Sequence, residues 1–291
     1  MSSEAISFYL EKIRDTGVLG IYYDFKNFSG DYLLNTGSFE YPTYSGLSGK
    51  LIGDINTFTG QESGSGAFSN NYIKVQNTAE NENVLSPDGQ TTAFTYIISQ
   101  RKVDNSCGTI FSNYSGISDT PSGWEIGINN ANQLYFMYQA YDINGVKEMS
   151  IKTLNNIPAA QNWYGISFSQ SYISMGRYLP ENNSWEVQRF SAKPQYINNS
   201  NEWNIGSGEY LYSGYMDKFI YLNESFSFGE MGEIIEASYQ SLELQGEQTA
   251  SIPGSLTGYS YFPTGETGIE IPPWIYRAHY RKGEKDPNAK T

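Results

Sequence analysis

Between residues 17 and 222 the chain breaks into eleven short runs of alternating or continuous apolar character, each stopped by Gly, Asn, Asp or Ser. They read GVLGIYYDF, NNYIKVQN, TTAFTYIISQ, GTIFSNY, GWEIGINN, NQLYFMYQAYD, KEMSIKTL, NWYGISFSQ, SYISMGRYL, SWEVQRFS and YMDKFIYL. Runs this short bury an apolar face by pairing edge to edge and packing sheet on sheet. The pattern therefore predicts an all-β fold, a two-sheet antiparallel sandwich. The joints agree: GINNANQLYF has an Asn-rich link suited to positive φ, YDINGVKEM contains Asn144-Gly145, and RYLPENNSWEV spans two strands with a longer loop. With 25 Tyr, 15 Phe and 5 Trp there is ample aromatic material for the core.

In the last run, GYMDKFIYLNESFS from Gly214 to Ser227, a period of two puts Tyr215, Asp217, Phe219 and Tyr221 on one face. Met216, Lys218, Ile220 and Leu222 take the other. An aspartate in an aromatic row needs a partner, because an unpaired buried carboxylate is costly. Asp217 is read as a hydrogen-bond anchor for a nearby loop or as a ligand to a cation.

The two ends differ from the middle. Residues 3 to 16 carry Ile6, Tyr9, Leu10 and Ile13 at helical spacing, a short amphipathic helix that needs an apolar surface to cover. After the last strand, Ser227 and Glu230 form an S-x-x-E capping box, with Phe226 and Met231 placed as a hydrophobic staple and Ile234 and Ile235 on the same face. From residue 243 the chain is rich in Pro and Gly, reads as an extended arm and ends with local basic charge. The organisation expected is a helix over 1–17, a sandwich over 18–242 and an arm over 243–291.

A net charge of −13 leaves no electrostatic footprint for nucleic-acid phosphates or anionic membranes, and no 18-residue apolar run is present for membrane insertion. A lone cysteine, Cys107, excludes an intrachain disulfide and reads as a small buried hydrophobe. The N-terminus lacks the charged and apolar regions of a signal peptide, so the expected origin is a cytoplasm.

In order and character, GVLGIYYDF with the following NFSGDYLLNTGS, SGSGAFSNNYIKVQN, FTYIISQRK, GWEIGINNANQLYFMY, NWYGISFSQSYISMGRYL and GYMDKFIYLNESFSFGEMGEIIEA resemble the laminin G-like, concanavalin A-like family of jelly-roll sandwiches. The resemblance covers residues 18 to 242 and implies a jelly roll whose closing strand carries an inward acidic residue at the place of Asp217. It also implies a lectin-like fold that hosts both binding domains and glycan-cleaving enzymes.

The catalytic patterns of such enzymes are not matched. No Glu-x-Asp-x-x-Glu strand is present, Glu80 and Glu82 fall in an apparent loop, and the one histidine, His279, lies in the arm. No cofactor is implied; calcium is a candidate through loop oxygens, with Asp24, Asp119 and Asp217 as its ligands. Trp124 and Trp163 read as core, whereas Tyr178 and Trp185, flanking the PENNS loop, read as sugar-stacking rings or as a cross-strand pair that steadies the hairpin. Tyr259, Tyr261, Phe262, Trp274 and Tyr276 in the arm are anchors for assembly. The leading expectation is a noncatalytic virion protein of a bacteriophage, a tail, fibre or head-surface component. Its partners would be other virion proteins, further copies of itself and a host surface glycan. The alternatives are a carbohydrate-binding module outside a virion and a glycan-degrading enzyme with an unrecognised site.

Overall fold

The computed structural model describes positions 6, 10, 18–37, 47–54, 66–68, 70–76, 93–102, 107–114, 123–141, 147–155, 157, 158, 160, 162–169, 172–191, 202–208 and 210–239. The strands are β1 (Gly20–Ser29), β2 (Tyr32–Asn35), β3 (Gly49–Ile52), β4 (Gly66–Phe68) and β5 (Tyr72–Val75). They continue with β6 (Phe94–Lys102), β7 (Gly108–Ser112), β8 (Trp124–Ile128), β9 (Leu134–Tyr141) and β10 (Lys147–Leu154). The last are β11 (Asn162–Phe168), β12 (Tyr172–Leu179), β13 (Ser184–Ser191), β14 (Trp203–Ile205) and β15 (Gly214–Leu222), followed by helix α1 (Phe228–Tyr239).

Hydrogen bonding joins the strands along one path, β10-β9-β8-β7-β14-β5-β3-β2-β1-β15-β6-β11-β12-β13, with β4 added against β15. The path curls over on itself. Phe94 of β6 stacks on Trp124 of β8 with centroids 5.2 Å apart, Tyr96 of β6 meets Phe111 of β7 at 5.0 Å, and Tyr221 of β15 meets Trp203 of β14 at 5.1 Å. A first half, β10-β9-β8-β7-β14-β5, thus faces a second half, β1-β15-β6-β11-β12-β13, across an aromatic core. The all-β, antiparallel expectation is met, with a helix after the last strand. The two halves nevertheless form one ladder rather than two separate sheets, because β2 and β3, four residues each, bridge between them. Trp124 and Trp163 are buried, as read, while Cys107 is half-buried rather than sealed in the core.

The outer face of the second half is also covered. Tyr22, Ile97, Trp163, Tyr178, Ile220 and Leu222 point away from the main core into a second apolar cluster, completed by Met231, Ile234 and Ile235 of α1 and by Ile6 and Leu10. Ile6 and Leu10, the two described residues of the N-terminal stretch, are thereby buried against this face. The capping box is formed in both directions: Glu230 N–H donates to Ser227 Oγ at 3.3 Å, and Ser227 N–H donates back to Glu230 Oε2 at 2.8 Å. Phe226 and Met231 are both buried, as a staple requires. Gly176 lets the helix approach the sheet, since a Cβ there would stand 2.5 Å from the Phe228 ring.

β15 explains its own aspartate. In the pairing with β6, Met216 lies opposite Gln100 and Lys218 opposite Ser99, so Asp217 is the extra residue of a β-bulge. The bulge resets the alternation: Met216 joins Phe219 and Tyr221 in the main core, while Ile220 and Leu222 face α1. The unbroken period of two predicted from the sequence is corrected here, because it put Met216 and Phe219 on opposite faces.

Candidate functional site

Two of the three carboxylates expected as calcium ligands, Asp24 and Asp217, face a lysine ammonium of the chain itself. Asp24 of β1 lies opposite Lys218, whose ammonium is 2.9 Å from Asp24 Oδ1 and 3.4 Å from Asp217 Oδ1. All three residues are at most 3% exposed. The partner of Asp217 is therefore a side-chain ammonium instead of the loop backbone anticipated for an anchor. Asp24 Oδ1 also accepts from the Lys26 N–H at 3.1 Å. Asp119 lies outside the described residues, and among those described no group of three or more His, Cys, Asp or Glu is placed to hold a metal ion.

Burial pushes the Asp217 carboxyl above its ordinary value of 3.8, Asp24 reinforces the shift, and the Lys218 and Lys26 ammonium groups oppose it. Between the unfolded and the raised folded pKa the native state binds more protons than the unfolded one. Asp217 therefore costs stability as pH rises through that window and returns it as pH falls. We expect the stability of wild type relative to Asp217→Asn, read from urea midpoints, to decline as pH is raised from about 4 to about 7. A pH-independent difference would contradict this account.

Tyr178 and Trp185 lie directly opposite one another on β12 and β13, with ring centroids 5.3 Å apart in edge contact. Tyr178 is 3% exposed and gives its hydroxyl to Asn183 Oδ1 at 2.9 Å, while Trp185 packs on Phe228 of α1 at 4.8 Å. Of the two readings weighed for these rings, this geometry is the cross-strand pair. Tyr259, Tyr261, Phe262, Trp274 and Tyr276 lie outside the described residues.

The outer face of the first half has a different character. A row of directly paired residues crosses it from β3 to β10: Lys50, Lys74, Asn204, Ser112, Glu125, Met137 and Ile151. Their strand neighbours Leu51, Ile73, Trp203, Phe111, Trp124 and Phe136 point into the core, so alternation turns the row outward. A second row, Thr109, Gly127, Tyr135 and Thr153, runs beside it. Lys74 is ion-paired with Glu202 at 2.6 Å.

Near the middle of this face lies a carboxylate that the sequence reading did not single out. Glu125 is 0% exposed, and its Oε1 accepts the Tyr135 hydroxyl at 2.5 Å. The chain after β14 arches over it: Gly206 N–H donates to Ile110 O at 2.8 Å, and Thr109 N–H donates to Tyr210 O at 3.1 Å. At the arch, a Cβ on Gly208 would lie 2.3 Å from Glu125 Oε2 and 2.7 Å from Thr109 Oγ1, so a larger residue there would have to displace the Glu125 or Thr109 side chain. Thr109 Oγ1 is buried with no hydrogen-bond partner among the described residues. Beside this cluster Tyr210 and Leu211 are 59% and 46% exposed, and Tyr135 is half-buried. An acid between Trp124 and Ile126 in an alternating run was the signal that could have found the site; its parity alone turns it away from the core.

No family model and no curated protein matches the chain. Among solved structures it is similar to the CBM40 of the Ruminococcus gnavus IT-sialidase bound to α2,3-sialyllactose, at 10% identity and TM-score 0.41 over 60% of this chain and 94% of that one. It is also similar to a structure of botulinum neurotoxin type C, whose cell entry depends upon interaction with two ganglioside molecules, at 12% identity and TM-score 0.49 over 77% and 52%. A third is the enzymatically active domain of bacteriophage CBA120 tailspike protein 2, at 13% identity and TM-score 0.37 over 64% and 29%. At such distances none of these likenesses bears on what this chain binds.

Proposed function

We propose that this chain is a noncatalytic, lectin-like domain of a virion that takes a glycan on the outer face of its first half-sheet. The observation that carries the reading is the contrast between the two outer faces. That of the second half is closed by α1, Ile6 and Leu10, whereas that of the first half presents Tyr135, Met137, Tyr210 and a polar row. Aromatic rings for the apolar side of a pyranose beside fixed polar groups for its hydroxyls are what sugar recognition needs.

The noncatalytic reading draws on the state of the carboxylates. Glycoside hydrolysis uses two acids flanking one bond. Here Glu125 is engaged by Tyr135 beneath the Gly208 arch, Glu202 by Lys74, and Asp24 by Lys218 on the opposite half. The virion setting rests on the sequence, in which a lectin-like body precedes a proline- and aromatic-rich arm suited to docking.

A glycan array probed with the purified full chain tests the reading. Bound glycans are expected, and Tyr210→Ala, at an exposed position, should weaken binding by up to about tenfold at unchanged melting temperature, the scale of one aromatic contact. A blank array from folded protein overturns the glycan role. A carbohydrate-binding module outside a virion would give the same array result, so the two settings are separated by whether the chain is found in purified particles by mass spectrometry.

A further inference from the structure

We infer that β13 is an interface between two copies of this chain: it pairs edge to edge with β13 of the second copy, antiparallel about a two-fold axis at Val187, and joins two second halves into one continuous sheet. The hydrogen-bonded path of the described strands ends at β13, whose strand partner along it is β12. At the other end of the path, β10 carries Lys147 and Lys152, and lysine is an ordinary guard of an edge strand. β13 has no lysine. Its eight residues, SWEVQRFS, run in unbroken register against β12, without the bulge or proline that turns an edge away from other strands. Its outer face is apolar at the rim. Val187 is 42% exposed and lies directly opposite Gly176, the glycine against which the Phe228 ring packs, while Trp185 meets the same ring at 4.8 Å. Arg189, exposed on the same face, sits over the Tyr172 ring at 4.3 Å and donates from Nε to Ser174 Oγ at 3.3 Å, so its guanidinium is held in place.

A second copy is the occupant because the strand complements itself. A two-fold axis between antiparallel strands of one continuous sheet keeps each face on its own side, so residues paired across it have the same parity. With the axis at Val187, the pairs are Val187 with its own copy, Trp185 with Arg189, Glu186 with Gln188 and Ser184 with Phe190. The exposed valines meet at the centre, each guanidinium faces an indole, and no like charges lie opposite one another. Moved one residue on, to Gln188, the axis would set Arg189 against Val187 and Glu186 against Phe190, pressing both charges on apolar side chains. The axis stands normal to the second half, so the outer faces of the two first halves look the same way, whatever those faces bind.

Sedimentation equilibrium of the full chain tests this, with hydrogen exchange read on residues 184–190. The wild type should sediment as a dimer. Val187→Lys sets two ammonium groups face to face at the axis and should weaken that dimer by at least about tenfold, whereas Ile151→Lys, at a position 57% exposed on β10, should leave it unchanged. Alternate backbone amides of β13 should exchange slowly in the dimer and faster on dilution, as the second copy leaves. A monomer throughout the micromolar range overturns the inference. A dimer that Val187→Lys leaves intact overturns it as well, since the contact then lies elsewhere. Should Val187→Lys not fold, the wild-type dilution series decides: exchange on β13 that is indifferent to protein concentration overturns the pairing. None of these outcomes touches the glycan reading, which the array tests.

Discussion

Replacing Lys218 with Met is expected to destabilise the fold by about 3–5 kcal/mol, the range for breaking a buried ion pair by removing one partner. Lys218 is 0% exposed, and its ammonium is what separates the carboxylates of Asp24 and Asp217. Without it, two buried acids face each other on adjacent positions of β1 and β15, so the loss should shrink as the pH falls and Asp217, whose carboxyl is already raised by burial, takes up its proton. The triple variant Asp24→Leu, Lys218→Met, Asp217→Asn should recover most of the deficit, because apolar replacement of a whole buried ion pair is often neutral or better. Urea denaturation of the three proteins checks this. A loss below about 1 kcal/mol in Lys218→Met would mean that the site behaves like a surface pair.

Phe94→Ala should cost a comparable amount, about 3–5 kcal/mol. The Phe94 ring stacks on Phe168 at 4.9 Å within its own half and on Trp124 at 5.2 Å in the facing half, with Tyr96, Phe136 and Tyr221 around it. Truncation opens a void bounded by rigid rings from both halves, which cannot close without moving strands. Ile151→Ala, 57% exposed on the outer face, is the matched control and should stay within about 0.5 kcal/mol of wild type. Equal midpoints for the two variants would overturn the assignment of Phe94 to the centre of the core.

The long strands and the helix were legible because their signals are local. The alternation of WEIGI, the Asn-rich turn before LYFMY and the S-x-x-E box each fit within a few residues, and β8, the hairpin with β9, and the cap of α1 follow from them. Four strands escaped: β2, β3, β4 and β14. They have three or four residues each, too few to show a period. Their existence is decided by neighbours distant in sequence, as when Asn204 pairs with both Ser112 and Lys74. The Asp217 bulge escaped for a related reason, since one inserted residue flips every later side chain and leaves no mark in the composition. For the site, reading by residue type picked out loop aromatics at Tyr178 and Trp185, which turned out to brace a hairpin under a helix. Glu125 and Tyr135 become neighbours through the β8–β9 register, which the turn sets and the residue types do not.

The place of β15 between β1 and β6 has a consequence for how the chain reaches this state. The last of the described strands is an inner one, and its far end is tied to the first: Leu19 N–H donates to Asn223 Oδ1 across 204 positions. Until residues 214–222 arrive, the flanks of β1 and β6 that they will occupy are open templates for any other strand. Closure spans nearly the whole described chain, so a large loop entropy must be met before the central pairing repays it, and folding should be slow for a domain of this size. During synthesis the half-made sheet is a sticky object, and a second nascent chain could offer its own copy of the missing strand. A chain stopped before residue 214 should therefore aggregate or swap strands, while the finished one holds β15 between two partners, where its edges are protected.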